Sequence, residues 1–157
     1  MFEQINNFFT IEMIYLWLNL GVLPFWIVLF FFPYSFMSKY LVRSIFPFMI
    51  FSFVYAYLLY YFFLSDFNFQ NNFTLYLGLE NLLDLFSEKG FLIMFWCHFL
   101  SINLFCGAWI VSDSIKLSIS KFLTFLPLLI TYFIGPLGLF IYWLIRIFFA
   151  RRMSLYD

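Results

Sequence analysis

Charge is what this sequence has least of. Only 10% of its 157 residues are Asp, Glu, Lys or Arg, eight acidic against eight basic. A soluble domain carries about a quarter. The scattered cations form no basic patch, which argues against a nucleic-acid partner. The opening MFEQINNFFTIEM holds no Lys or Arg, and no A-x-A-like cleavage site follows it. A secretory signal peptide needs both, and a plastid transit peptide is rich in Ser and Arg, so the first apolar run reads as a retained span. Histidine occurs once, as His98, and cysteine twice, as Cys97 and Cys106. On one helix those cysteines lie about 13 Å apart along the axis and face nearly opposite ways, too far to bridge within the chain. One His without a carboxylate cluster gives no metal site.

Apolar residues fill the space that charge leaves. They make up 66% of the chain, and mean hydropathy is +0.98. A chain this short has no aqueous core large enough for that surface, so lipid must solvate most of it. The 28 Phe suit lipid contact but are also what AT-rich codons produce, and they say little about function. Four apolar runs are long enough to cross a bilayer as helices: 13–32, 45–64, 91–111 and 122–145. They lack the alternating polarity of transmembrane strands. The fold class expected is all-α: a polytopic membrane protein, one domain over 1–157, built as a four-transmembrane-helix bundle. Between spans two and three, NFQNN reads as a loop. Leu75, Leu79, Leu82, Leu83 and Phe86 then recur at helical spacing, with Glu80, Asp84 and Glu88 on another face. This predicts a short amphipathic connector helix, its acidic stripe a solvated face rather than a lipid-binding one.

Orientation stays open at this stage. Four crossings put both termini on one side. Lys39, Arg43, Lys116 and Lys121 then face Lys89, Arg146, Arg151 and Arg152 across the membrane, an even split that the positive-inside rule does not resolve. Lys39 and Arg43, following the first helix, tilt the termini away from the cytoplasm. A bacterial inner membrane or a thylakoid-type membrane is the expected location.

Polar residues inside the runs are the candidate site. Asn19 lies one turn before Pro24, which takes the N–H from the Leu20 carbonyl and predicts a kink. The third run carries WCHFLSINLF, from Trp96 to Phe105. On a helix His98, Ser101, Phe105 and Trp109 form one stripe, and Asp113 lies about 60° away. Asn103 and Gly107 form a second stripe, about 140° from His98. An ionisable group within a span is a functional hypothesis by default, and His98 can exchange a proton near neutral pH. A satisfied structural histidine is the competing reading. In the fourth run, Pro136 cannot bond the Tyr132 carbonyl, and Gly135 and Gly138 remove bulk beside it. A kink or an interruption is expected there, making a site wall or a tight helix crossing, since bare backbone in lipid is tolerated only against protein or a cavity.

Three segments in order resemble one family. They are LPFW in the first run, WCHFLSINLFCGAWIVSDS in the third and FLPLLITYFIGPLGLFIYWLIR in the fourth. The chain resembles the abscisic-acid-deficient-4-like membrane proteins, linked to neoxanthin synthesis in plants. The resemblance covers most of the chain except the second run and the connector. It implies a carotenoid or similar isoprenoid as substrate. Opening an epoxide and forming an allene needs an acid and a base, with His98 the candidate. Asn19 and Asn103 would orient the oxygen, Trp96, Phe105 and Trp109 would stack on the polyene, and Ser101, Asp113, Gly135, Pro136 and Gly138 would complete the pocket. No cofactor is implied, because an isomerisation moves no net electrons. The family has Asp where this chain has Asn103, and an amide cannot serve as a general base. A second reading therefore stands beside the enzyme: a non-catalytic pigment- or lipid-binding subunit, or a scaffold with membrane-protein partners. A transporter is a distant third, because no inverted repeat is present.

Overall fold

The computed structural model describes residues 10–64 and 76–151. Leu75 and the NFQNN loop fall outside them. Among the described residues there are six α-helices: α1 (Ile11–Phe31), α2 (Phe46–Leu59), α3 (Leu79–Ser87), α4 (Lys89–Lys116), α5 (Lys121–Phe133) and α6 (Gly135–Ala150). Two π-helical turns, Ser38–Val42 and Tyr60–Leu64, flank α2. The all-α reading holds. Three helical stretches are long and apolar enough to cross a membrane: Ile11–Phe31, Ser38–Phe62 and Lys89–Lys116. The protein is a membrane protein on that ground. The run expected over 122–145 is two shorter helices, of 13 and 16 residues, meeting at Ile134, beside the expected break at Pro136.

The chain divides into two compact units. One comprises 1–21 with 48–100, the other 22–47 with 101–157. In the first, Leu18, Phe51, Leu58, Ile93, Cys97 and Leu100 are buried. Phe86 of α3 sets its ring edge-on to Phe91 and Phe95, 5.2 and 4.9 Å between centroids. Glu12 and Lys89 approach to 3.9 Å, but both are largely exposed, and such a pair adds little stability.

In the second unit, Val22, Trp26, Leu29, Leu104, Ala108, Val111, Leu128 and Tyr142 are buried. Val22, Trp26 and Leu29 recur at helical spacing along α1, while Leu23, Ile27 and Phe31 on its other face are exposed. Such an apolar outer face suits lipid, where burial needs no protein partner. Helix α1 runs unbroken through Pro24.

The end of α4 shows how a short loop reverses the chain. Ser118 adopts φ 55°, the Ile119 N–H donates to Ser114 O at 2.9 Å and the Ser118 N–H to Ile115 O at 3.2 Å. These are the two bonds of a Schellman stop, made here with serine in the left-handed position. Two residues on, Ser120 caps α5, its Oγ accepting from the Leu123 N–H at 3.4 Å.

Helices α5 and α6 then fold back on each other at Ile134. A Cβ on Gly138 would strike the Thr131 N–H and Pro127 O of α5. In a continuous helix those groups would be about 10 Å or more from residue 138. Both backbone groups of Ile134 are nevertheless satisfied: its N–H donates to Ile130 O at 2.7 Å, and its carbonyl accepts from Gly138 N at 3.1 Å.

Candidate functional site

The second half of α4 carries the most unusual chemistry. Asp113 is buried and accepts three hydrogen bonds from α6. Tyr142 OH donates to Oδ2 at 2.8 Å, Arg146 Nε to Oδ2 at 2.7 Å and Arg146 Nη2 to Oδ1 at 3.4 Å. Arg146 and Tyr142 are as buried as their acceptor. Trp109 stands perpendicular to the Tyr142 ring, 5.7 Å between centroids. Three donors from one helix occupy most of the acceptor positions of this carboxylate. Its geometry fits tying α6 to α4, at a depth where an unpaired charge is costly.

Ten residues earlier on α4, Asn103 lies against the start of α6. It is 3% exposed. Its Oδ1 occupies the space that a Cβ on Gly135 would take, so only glycine lets the two helices meet there. Its Nδ2 is buried and, among the described residues, has no hydrogen-bond partner. The same nitrogen is 3.8 Å from that Cβ position. The first N–H groups of any helix lack a carbonyl behind them, and Pro136 supplies none. Asn103 and the opening turn of α6 thus present donors in an apolar setting. Such a set favours an acceptor oxygen. Thr131 does not compete for it, because its hydroxyl donates to Pro127 O at 2.7 Å. Gly107 opens the next turn, where Trp26 and Leu128 fill the space its side chain would need.

Asn19, Trp96 and His98 lie in the other unit. Trp96 Nε1 donates to Asn19 Oδ1 at 3.3 Å, and Asn19 Nδ2 donates back to Tyr15 O at 2.7 Å. Tyr15 packs on the Trp96 ring at 5.9 Å. Asn19 is therefore bonded to its surroundings. His98 is exposed on α4, with the Tyr55 ring 6.2 Å away. In the stripe expected to line a site, His98 and Phe105 are exposed on the outer surface, while Ser101 and Trp109 are half-buried. The other stripe, with Asn103 and Gly107, is buried. Of the glycine-proline segment, Gly135 and Gly138 are buried and Pro136 is exposed.

Tyr142 and Arg146 were not among the residues expected from sequence. The signal was present, since Arg146 and Asp113 are opposite charges at the edges of two apolar runs, and such groups pair.

The family model described as ABA DEFICIENT 4-like matches residues 13–142, and the chain belongs to that family. No curated protein and no solved structure matches it.

Proposed function

We propose that the protein works in carotenoid or related isoprenoid metabolism by holding an oxygenated, lipid-soluble isoprenoid within the membrane. In this reading Asn103 and the first turn of α6 hold the ligand's oxygen. The observation that carries it is the buried Asn103 Nδ2, which has no hydrogen-bond partner in the described structure. A buried donor without an acceptor costs about 1–3 kcal/mol, and a hydroxyl, epoxide or carbonyl oxygen would recover that. Family membership supports the carotenoid class. Phe105 and Trp109 lie on the other stripe of α4 and do not flank a ligand held at Asn103. Membrane lipid is the surrounding solvent in this reading, and the exposed apolar faces suit contact with lipid or with other membrane proteins.

The finer activity, an epoxy-carotenoid isomerase, needs an acid and a base. Asn103 supplies neither, so that role falls to His98. The exposure of His98 and the amide at position 103 favour the second reading, a pigment-binding subunit without chemistry of its own. Four crossings, the count expected from the apolar runs, would require α5 and α6 together to traverse the bilayer.

The deciding experiment is purification in mild detergent, followed by an absorption spectrum and pigment extraction. A stoichiometric carotenoid that is lost in Asn103→Leu, in a protein that still folds, supports the site. A preparation without isoprenoid, or one whose pigment is indifferent to Asn103→Leu, overturns it.

A further inference from the structure

The direction of α6 bears on which face of the membrane the chain ends. Gly135 meets Asn103, and Arg146 meets Asp113. Eleven residues along α6 therefore match ten along α4, about 16 Å against 15 Å. The two helices run parallel. Helix α5 runs the other way. Lys121 and Thr124 at its start border the same recess as Ser114 and Val111, whereas Leu128, further on, reaches Gly107. A broken helix that continued across the membrane would carry Arg146 about 30 Å past Asp113. It returns to Asp113 instead.

We propose that the chain crosses the membrane three times, and that α5 and α6 form a re-entrant hairpin. The hairpin enters from the face at which α4 ends, turns at Ile134 and leaves by the same face. Its tip is viable in lipid because Ile134 keeps both backbone hydrogen bonds and its side chain, 54% exposed, is apolar. Gly135, at the head of α6, packs against Asn103 of α4, and non-helical backbone at membrane depth is tolerated where it lies against protein.

The charge pattern supports this independently. With three crossings, Lys39, Arg43, Lys116, Lys121, Arg146, Arg151 and Arg152 all fall on one side, and only Lys89 on the other. Arg146 is neutralised by Asp113, which leaves six cations against one. The positive-inside rule then assigns the face where α4 ends to the cytoplasm. The cations on that face would meet the anionic headgroups of the cytoplasmic leaflet.

Three single-cysteine variants test this in a Cys97→Ala, Cys106→Ala background: Asp84→Cys, Lys116→Cys and Arg151→Cys. Each is labelled with a membrane-impermeant maleimide in intact spheroplasts and in inside-out vesicles. The expected result is that 116 and 151 label together, in inside-out vesicles only, and 84 in spheroplasts only. If 151 labels with 84, the re-entrant hairpin is wrong and the chain crosses four times. If 116 and 151 label together but in spheroplasts, the hairpin stands and the assignment of the cytoplasmic face is overturned. Should the background misfold, a glycosylation acceptor or a split fluorescent-protein tag appended after Asp157, in the otherwise native chain, reports the same side.

Discussion

Arg146 and Asp113, 33 residues apart in sequence, close a buried ion pair with Nε 2.7 Å from Oδ2. Removing either partner leaves the other charged in an apolar place. Arg146→Met and Asp113→Asn should each lower stability by about 3–5 kcal/mol. The double variant Asp113→Asn, Arg146→Met should recover most of that loss, because both charges go together. Thermal unfolding in detergent for the four members of this cycle measures it. Additive losses would mean the pair does not act as a unit.

Gly138 faces backbone as well as the Thr131 hydroxyl, whereas Gly135 faces a side chain alone. A methyl on Gly138 would meet the Thr131 N–H and the Pro127 carbonyl, which cannot rotate away. Gly138→Ala should therefore cost at least the roughly 1–3 kcal/mol of overpacking and lower the folded yield. At Gly135 the obstacle is Asn103, and a side chain can be shortened. Gly135→Ala should destabilise in the native chain and be tolerated in an Asn103→Ala background. Equal destabilisation in both backgrounds would show that the α4–α6 contact at this level is not the one described.

His98 separates chemistry from packing. Because it is exposed, His98→Ala should leave accumulation and thermal stability within about 0.5 kcal/mol of the native protein. If the protein isomerises an epoxy-carotenoid, the same variant should abolish conversion, read by chromatography of extracted pigments. Unchanged conversion would remove His98 as the acid or base.

Asn103→Asp places the family's acid beside the first turn of α6. A helix N-terminus favours an anion, so the variant should fold, and any isomerase activity should rise by the 10²–10⁴-fold typical of a positioned acid or base. A folded variant with no gain would count against proton transfer at this position.

The Trp96–Asn19 bond is a smaller matter. Trp96→Phe keeps an aromatic ring against Tyr15 and deletes one hydrogen bond across helices. A loss of about 0.6 kcal/mol is expected, the average for such bonds in a membrane protein, and should be visible as a small shift in unfolding midpoint. A loss several times larger would indicate that the indole does more than bond Asn19.

Helicity and lipid exposure were legible in the sequence because they rest on run length and apolar content. The interruption near Pro136 was legible too, since proline and paired glycines act on the backbone directly. The direction in which α6 leaves the break was not. Proline ends a hydrogen-bond ladder but does not aim the next helix, and here the aim comes from Asn103 at Gly135 and Asp113 at Arg146, contacts between segments over 30 residues apart. The same gap explains the stripes on α4. Every face of that helix is apolar, so periodicity alone did not say that the Asn103 side would be buried and the His98 side exposed.

The meeting of α5 and α6 at a single residue also constrains the order of assembly. Helices of 13 and 16 residues are each shorter than the roughly 20 needed to span a bilayer, so neither has reason to partition into lipid by itself. Arg146 adds a charge that must be cancelled before it leaves water. Its counter-ion sits on α4, which is synthesised first. The α5–α6 hairpin is thus dependent on an earlier helix already in place, and damage at Asp113 should appear as a defect in biogenesis before it appears as a defect in any ligand site.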